Sequence, residues 1–388
     1  MASQTSSEMP ATLTSKRRSS HSKLLLAGIL VSTGVTLLSI VGCSGCNHYG
    51  EDGKPPEEPR FATTDVQSFG GVGSTFVDPL ITRWMKDYGT AHKVQINYRP
   101  IGSGAGIEEF KKYHTTFAAT DSPLDDEQLK GMPQILQIPI TAGPVCVIYN
   151  IPGLSKPLRL SGKTLAGIFT GEIVNWQDPS IAAENPGAKL PHSGIVLVHR
   201  TDGSGTTNIF TRYLSSVSSS FSKRTGYGLS VNWVAGMGAN GSSSLLGIVK
   251  QNPGTIGYIE LSYAKQAGLP VASIQNRAGE FVVPSPESAS LAVSAFADAL
   301  SKDIRTPVVD PPSSAKGAYP ISGITYVLIE RDDSVLGVRQ TFKDFIQYGI
   351  TSGQDSAEGL SYAKLPSPIQ QQSQTILNQM TDNGKPLR

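Results

Sequence analysis

From Ser68 to the C-terminus, short apolar or alternating segments are each followed by a loop rich in Gly, Ser and Thr and then by a stretch of helical period. Val94-Gln95-Ile96-Asn97-Tyr98 alternates as a half-buried strand does, residues 102–106 form a glycine loop, and 107–113 has the spacing of a helix. Residues 145–149 are nearly all apolar, as expected of a strand covered on both faces. Residues 195–198 form another strand, leading through the loop 200–205 into a helical 206–214, and 256–259 and 324–329 are later strands. A chain that repeats strand, loop and helix is restricted to α/β layers with mainly parallel sheets. Such folds hold ligands at the carboxyl ends of strands, where loops enter helices.

Three of these junctions have a composition suited to an anion. Gly71-Val72-Gly73-Ser74-Thr75-Phe76 precedes a helical stretch at 79–88, Gly102-Ser103-Gly104-Ala105-Gly106 precedes the second helix, and Asp202-Gly203-Ser204-Gly205-Thr206-Thr207 precedes a third. The first N–H groups of a helix lack intrahelical partners and carry partial positive charge. Glycine lets an oxyanion approach them, and Ser or Thr hydroxyls add donors. Taken singly, each loop reads as ordinary capping; three in one chain point to a shared anion. Arg200 adds a planar, bidentate donor ahead of the third loop. Thr120-Asp121-Ser122-Pro123-Leu124 brings a carboxylate instead. A carboxylate fits an anion site only when the anion has a proton to give, as phosphate has at neutral pH and sulfate has not.

The N-terminal region is of another kind. Residues 24–41 are apolar and uncharged behind a basic segment, the arrangement of a secretory signal and near the minimum length of a spanning helix. Ile40-Val41-Gly42-Cys43 resembles the bacterial lipobox, in which the cysteine is acylated and becomes the mature N-terminus. The expectation is a lipoprotein signal peptide over 1–42, lipidation at Cys43 and a flexible tether over 43–67, polar and rich in Pro and Glu. An uncleaved signal anchor is the other reading, and both export the rest of the chain. Of the net charge of +2, +3 lies in residues 1–42 (Lys16, Arg17, Arg18 and Lys23 against Glu8), leaving −1 for the remainder. No basic face remains for a nucleic acid. One Cys43-Ser44-Gly45-Cys46 pair and scattered histidines give no metal-ligand spacing.

The order of residues 71–76, 101–106, 120–124 and 200–207 resembles that of the bacterial periplasmic phosphate-binding proteins, the PstS family, substrate-binding components of ABC-type phosphate importers. The similarity runs from about Phe69 to the C-terminus and includes Leu160-Ser161-Gly162-Lys163-Thr164, Ile168-Phe169-Thr170-Gly171, Asn175-Trp176, Gly254-Thr255-Ile256-Gly257-Tyr258 and Gly384-Lys385-Pro386-Leu387. The resemblance implies phosphate binding by Thr75, the N–H of Phe76, Ser103, Asp121, Arg200, Ser204, Gly205 and Thr206, with Asp202 orienting Arg200. Thr120 stands where many relatives have Ser, and Gly104-Ala105 replaces a Ser-Gly pair; neither change removes an assigned donor. It also implies a two-lobed periplasmic-binding-protein fold of type II, each lobe a mainly parallel sheet flanked by helices, with the ligand cleft between them. Lobe 1 would comprise 68–142 and 322–388, lobe 2 would comprise 143–321, and Cys146 would be a core residue. The implied protein is a monomeric carrier outside the cytoplasmic membrane, without cofactor or metal, delivering inorganic phosphate to permease transmembrane subunits. A phosphate sensor or a receptor for a related oxyanion has the same residues.

Enzyme readings are weaker. Gly236-Met237-Gly238-Ala239-Asn240-Gly241 matches GxGxxG formally, with Glu260 at nucleotide-binding distance, but Asn232-Trp233-Val234-Ala235 is a poor buried strand ahead of it. Ser204 lies in Asp-Gly-Ser-Gly-Thr rather than in a GxSxG elbow, and no glycine loop ends in GK[ST].

Overall fold

A computed structural model describes residues 67–332 and 338–388. The expected signal peptide, Cys43, Cys46 and nearly all of the tether lie outside the described residues. Among those described, no helix is long and apolar enough to cross a membrane, and no group of three or more His, Cys, Asp or Glu could hold a metal ion.

Eight strands form one mixed sheet: β1 (Ser68–Gly73), β2 (Gln95–Arg99), β3 (Phe117–Thr120), β4 (Ile135–Tyr149), β5 (Val196–Arg200), β6 (Met237–Ala239), β7 (Thr255–Glu260) and β8 (Ser322–Glu330). Their order is β2-β1-β3-β8-β4-β7-β5-β6. At either end the pairing is parallel, β1 with β2 and β3, and β5 with β6 and β7. The centre departs from the mainly parallel expectation, because β8 is antiparallel to both β3 and β4, and β4 is antiparallel to β7. The cause is connectivity. β4 runs directly from one half of the sheet into the other without a crossover helix, and the chain returns beside it as β8, which only an antiparallel ladder permits.

β4 pairs with β8 over residues 135–144 and with β7 over 145–149. Every residue after Ile135 is buried, in keeping with the nearly continuous apolar run at 145–149. The register shifts once, between Thr325 and Tyr326, where Ile140 is the extra residue on β4. Cys146 is fully buried and its thiol donates to the Ile259 carbonyl at 3.1 Å. Burial pushes that thiol well above its usual pKa, so it is a core residue as expected.

The helices that matter to the cleft start at the carboxyl ends of parallel strands. These are α1 (Asp78–His92), α2 (Ser103–Lys111), α3 (Gly205–Val217) and α4 (Gly241–Gln251), following β1, β2, β5 and β6. Helix α1 buries Leu80, Ile81, Trp84 and Tyr88 along one face, and the Trp84 indole N–H donates to the Gly353 carbonyl at 2.9 Å. Helix α2 contains two glycines and holds its place through buried Ile107 and Phe110.

Candidate functional site

The carboxyl ends of β1, β3, β5 and β6 face one another across the middle of the sheet. From the first half come Ser74, Thr75, Ser103 and Asp121, all buried. Ser74 Oγ donates to Asp121 Oδ2 at 2.6 Å, and Thr325 Oγ1 of β8 donates to Oδ1 at 2.7 Å. The backbone N–H of Asp121 donates to Ser103 Oγ at 3.3 Å. Burial is the main influence on the Asp121 carboxyl and pushes its pKa up to about 6, against the hydrogen bonds from Ser74 and Thr325 and the charge of Arg200.

From the second half comes Arg200, the last residue of β5, its side chain 2% exposed. Its Nε donates to Asp202 Oδ1 at 2.6 Å and its Nη2 to Asp202 Oδ2, a fork that fixes the guanidinium plane. Nη1 donates to Thr75 Oγ1 and to Ser242 Oγ, both at 3.2 Å. Burial alone would raise the pKa of Asp202. The Arg200 fork, its charge and the Gly241 N–H at 3.0 Å overcome this and hold the carboxyl below its ordinary value. The backbone N–H of Arg200 donates to the Tyr258 hydroxyl at 3.1 Å, which also meets Thr207 Oγ1 at 2.7 Å.

The two halves close on each other through backbone. The Gly104 N–H donates to the Gly203 carbonyl at 2.8 Å. A methyl group at Gly205 would stand 2.5 Å from Asp121 Oδ2 and 2.6 Å from Ser103 Oγ, so only glycine fits there. Ser204 caps α3, its Oγ accepting from the Thr207 N–H at 3.1 Å, and leaves the first turn, with Gly205 and buried Thr206, pointing at the cleft.

Thr75, Ser103, Asp121, Arg200, Asp202 and Gly205 are thus brought together, with Ser204 and Thr206 on either side of Gly205 at the start of α3. The Phe76 N–H differs from expectation, donating to Ser74 Oγ at 3.0 Å, while the Phe76 ring is buried 5.9 Å from that of Tyr362. Ser242 and Thr325 join this group without any mark in the sequence, Glu260 lies behind Ser242, and Ser74 of the 71–76 loop has no role assigned by the resemblance. Ser242 opens α4, where the glycine pattern drew attention instead. Thr75 Oγ1 and Ser242 Oγ are 2.8 Å apart, and Ser242 Oγ lies 3.3 Å from a carboxyl oxygen of buried Glu260.

The geometry also bears on the enzyme readings. The Gly241 N–H at the start of α4, where a dinucleotide phosphate would sit, is taken by Asp202. His199 stacks on Trp233 at 5.3 Å and its Nδ1 lies 3.1 Å from the Arg200 carbonyl, while Ser204 Oγ accepts from the Thr207 N–H. What remains is a buried group of hydroxyl and N–H donors, one fixed guanidinium and one inward carboxylate.

The family model of the PBP superfamily domain matches residues 60–352. The chain is 35% identical to the phosphate-binding protein PstS of Xylella fastidiosa strain 9a5c, over 90% of this chain and 97% of that one. It is 36% identical to PstS of Haemophilus influenzae, over 78% of this chain and 90% of that one. The solved phosphate-binding protein from Stenotrophomonas maltophilia superposes with a TM-score of 0.62 at 19% identity, covering 80% of this chain and 93% of that one, which shows the periplasmic-binding-protein fold. With the superfamily domain matched across most of its length and relatives this similar nearly end to end, the chain belongs to the PstS family of phosphate-binding proteins.

Proposed function

We propose that this protein captures inorganic phosphate outside the cytoplasmic membrane and delivers it to the transmembrane subunits of an ABC-type import permease. The observation that carries the reading is the one inward carboxylate, Asp121, among hydroxyl donors and a guanidinium held in place by Asp202. That set suits an oxyanion that still bears a proton. Thr75, Ser103, Arg200, Ser204, Gly205 and Thr206 donate to the anion, Asp121 accepts its P–OH, and Phe76 contributes its N–H once Ser74 releases it. The protein is a monomeric carrier with no catalytic group. Lobe 1 comprises 68–142 and 322–388 and lobe 2 comprises 143–321, a division supported by the change of partner along β4 between Pro144 and Val145.

Calorimetric titration of the chain from Ser68 onward with phosphate, sulfate and NAD tests this reading. Heat from phosphate alone is the expected result; binding of NAD, or of sulfate in preference, overturns it.

The anchor is Cys43, acylated after removal of 1–42. Cys43→Ala should abolish acyl-chain labelling in the export host and leave an unprocessed precursor, while Cys46→Ala should change little. Undiminished labelling of the Cys43 variant would contradict the assignment.

A further inference from the structure

Glu260 is the last residue of β7 and lies 1% exposed behind the cleft, outside every role given above. One of its oxygens, Oε2, meets Ser242 Oγ at 3.3 Å. The other, Oε1, is buried with no hydrogen-bond partner among the described residues. An ionised carboxylate accepts at both oxygens and is costly to bury with one of them bare. The nearest full positive charge, Arg200, is committed to Asp202 through both arms of its fork.

Counting protons in the hydroxyl chain gives the consequence. Ser242 Oγ and Thr75 Oγ1 are 2.8 Å apart, and Arg200 Nη1 can only donate to each. If Glu260 were ionised, the single Ser242 proton would go to it. Thr75 would then spend its own proton on Ser242 and turn lone pairs toward the anion. If Glu260 is a neutral acid, its O–H goes to Ser242, the Ser242 proton goes to Thr75, and the Thr75 proton is left for the cleft.

We infer that Glu260 and Ser242 are positioning residues for the anion: a neutral Glu260 donates to Ser242, Ser242 donates to Thr75, and the Thr75 hydroxyl is thereby fixed as a donor to phosphate. The inference rests on the phosphate reading proposed above. Burial is the largest influence on the Glu260 carboxyl and favours the neutral acid, while its own backbone N–H and the Ser242 hydroxyl favour the charged form. Arg200 on β5 favours its charged form, while Asp121 beyond β3 opposes it. Cys146 on β4, Tyr263 on the following helix and Tyr362 bring no positive charge. Burial prevails and raises its pKa well above the ordinary value.

The test combines a spectroscopic signature with affinities at neutral pH. Infrared spectra of the intact protein should contain the C=O stretch of a protonated carboxylic acid that disappears in Glu260→Gln. Glu260→Gln, whose amide N–H₂ can still donate to Ser242, should bind phosphate within about threefold of wild type. Thr75→Val, which removes the directed proton, should bind at least about tenfold more weakly. A carboxylic-acid band unchanged by Glu260→Gln overturns the proposal, as does a tenfold change in affinity of that variant in either direction, or wild-type affinity in Thr75→Val. If the Gln variant does not fold, uniform ¹³C labelling of glutamate locates the carboxyl of the wild type directly, and a shift typical of an ionised group at every buried glutamate overturns it equally. Failure of wild type to bind phosphate at all would fall on the functional reading, while the infrared band would still report the state of Glu260.

Discussion

Arg200→Ala is expected to weaken phosphate binding by about tenfold or more. The guanidinium brings a full positive charge to the cleft, its side chain is 2% exposed, and Nη1 reaches Thr75 and Ser242 at 3.2 Å. Charge-assisted hydrogen bonds contribute roughly 1.5–3 kcal/mol each, and with four of its five N–H groups taken by Asp202, Thr75 and Ser242 the guanidinium keeps one for the anion. At about 1.4 kcal/mol per tenfold change, the loss lies between about 10 and 10². Truncation also leaves Asp202 beside the anion without the partner that keeps its pKa low. Breaking this buried pair from one side should cost roughly 3–5 kcal/mol of stability as well, read as a lower melting temperature of the anion-free protein. Arg200→Lys keeps a charge but not the fork, and should recover only part of the binding. Titration decides the matter: affinity within threefold of wild type in the Ala variant would move the site elsewhere.

The second large effect concerns which anion is admitted, and it depends on pH. When ionised, Asp121 accepts a proton-bearing oxygen and repels one without a proton, so sulfate should be rejected at neutral pH by an unpaired buried acceptor. Asp121→Asn replaces one acceptor with a donor N–H₂ and should narrow the gap between phosphate and sulfate by at least about tenfold. Burial lifts the Asp121 pKa to about 6, so below that pH the wild-type carboxyl acquires its own proton and can donate to sulfate. Sulfate affinity should therefore rise as pH falls through about 6, by up to about tenfold per unit for one linked proton. In the Asn variant this rise should be missing. Competitive displacement of labelled phosphate from pH 8 to pH 5, at constant ionic strength, measures both effects. A sulfate affinity equally pH-dependent with and without Asp121 would assign the discrimination to another group. The sign for stability is fixed by the same shift. The folded anion-free state holds the Asp121 proton more tightly than the unfolded chain, so this residue's contribution falls as pH rises from about 4 to about 6.

The elements that position the cleft were legible wherever their meaning is local. Glycine, serine and threonine at a strand end specify a tight approach and a helix start within six residues. The loops at 71–76, 102–106 and 202–207 could therefore be found without knowing what they face. Asp121 and Arg200 stood out because a carboxylate and a guanidinium are rare additions to such loops. The partners that set their state were not legible. Thr325 is 204 positions from Asp121 and Ser242 is 167 from Thr75, and no local pattern marks a hydroxyl as facing a particular distant group. The strand holding Thr325 was read, but the bulge at Ile140 alters its alignment with β4, and alternation counted along the chain cannot supply that. The antiparallel centre was missed for a related reason. A fully buried strand looks the same in sequence whichever way its neighbours run.

One consequence of the long central strand is mechanical. At about 3.3 Å per residue, β4 is a continuous ribbon of about 50 Å, bonded to β8 along one stretch and to β7 along the next. There is no loop between those stretches to act as a pivot. Drawing Thr75 and Asp121 away from Arg200 would therefore require bending the ribbon itself, near Pro144, where its partner changes from β8 to β7. A beam of this kind resists in proportion to its curvature.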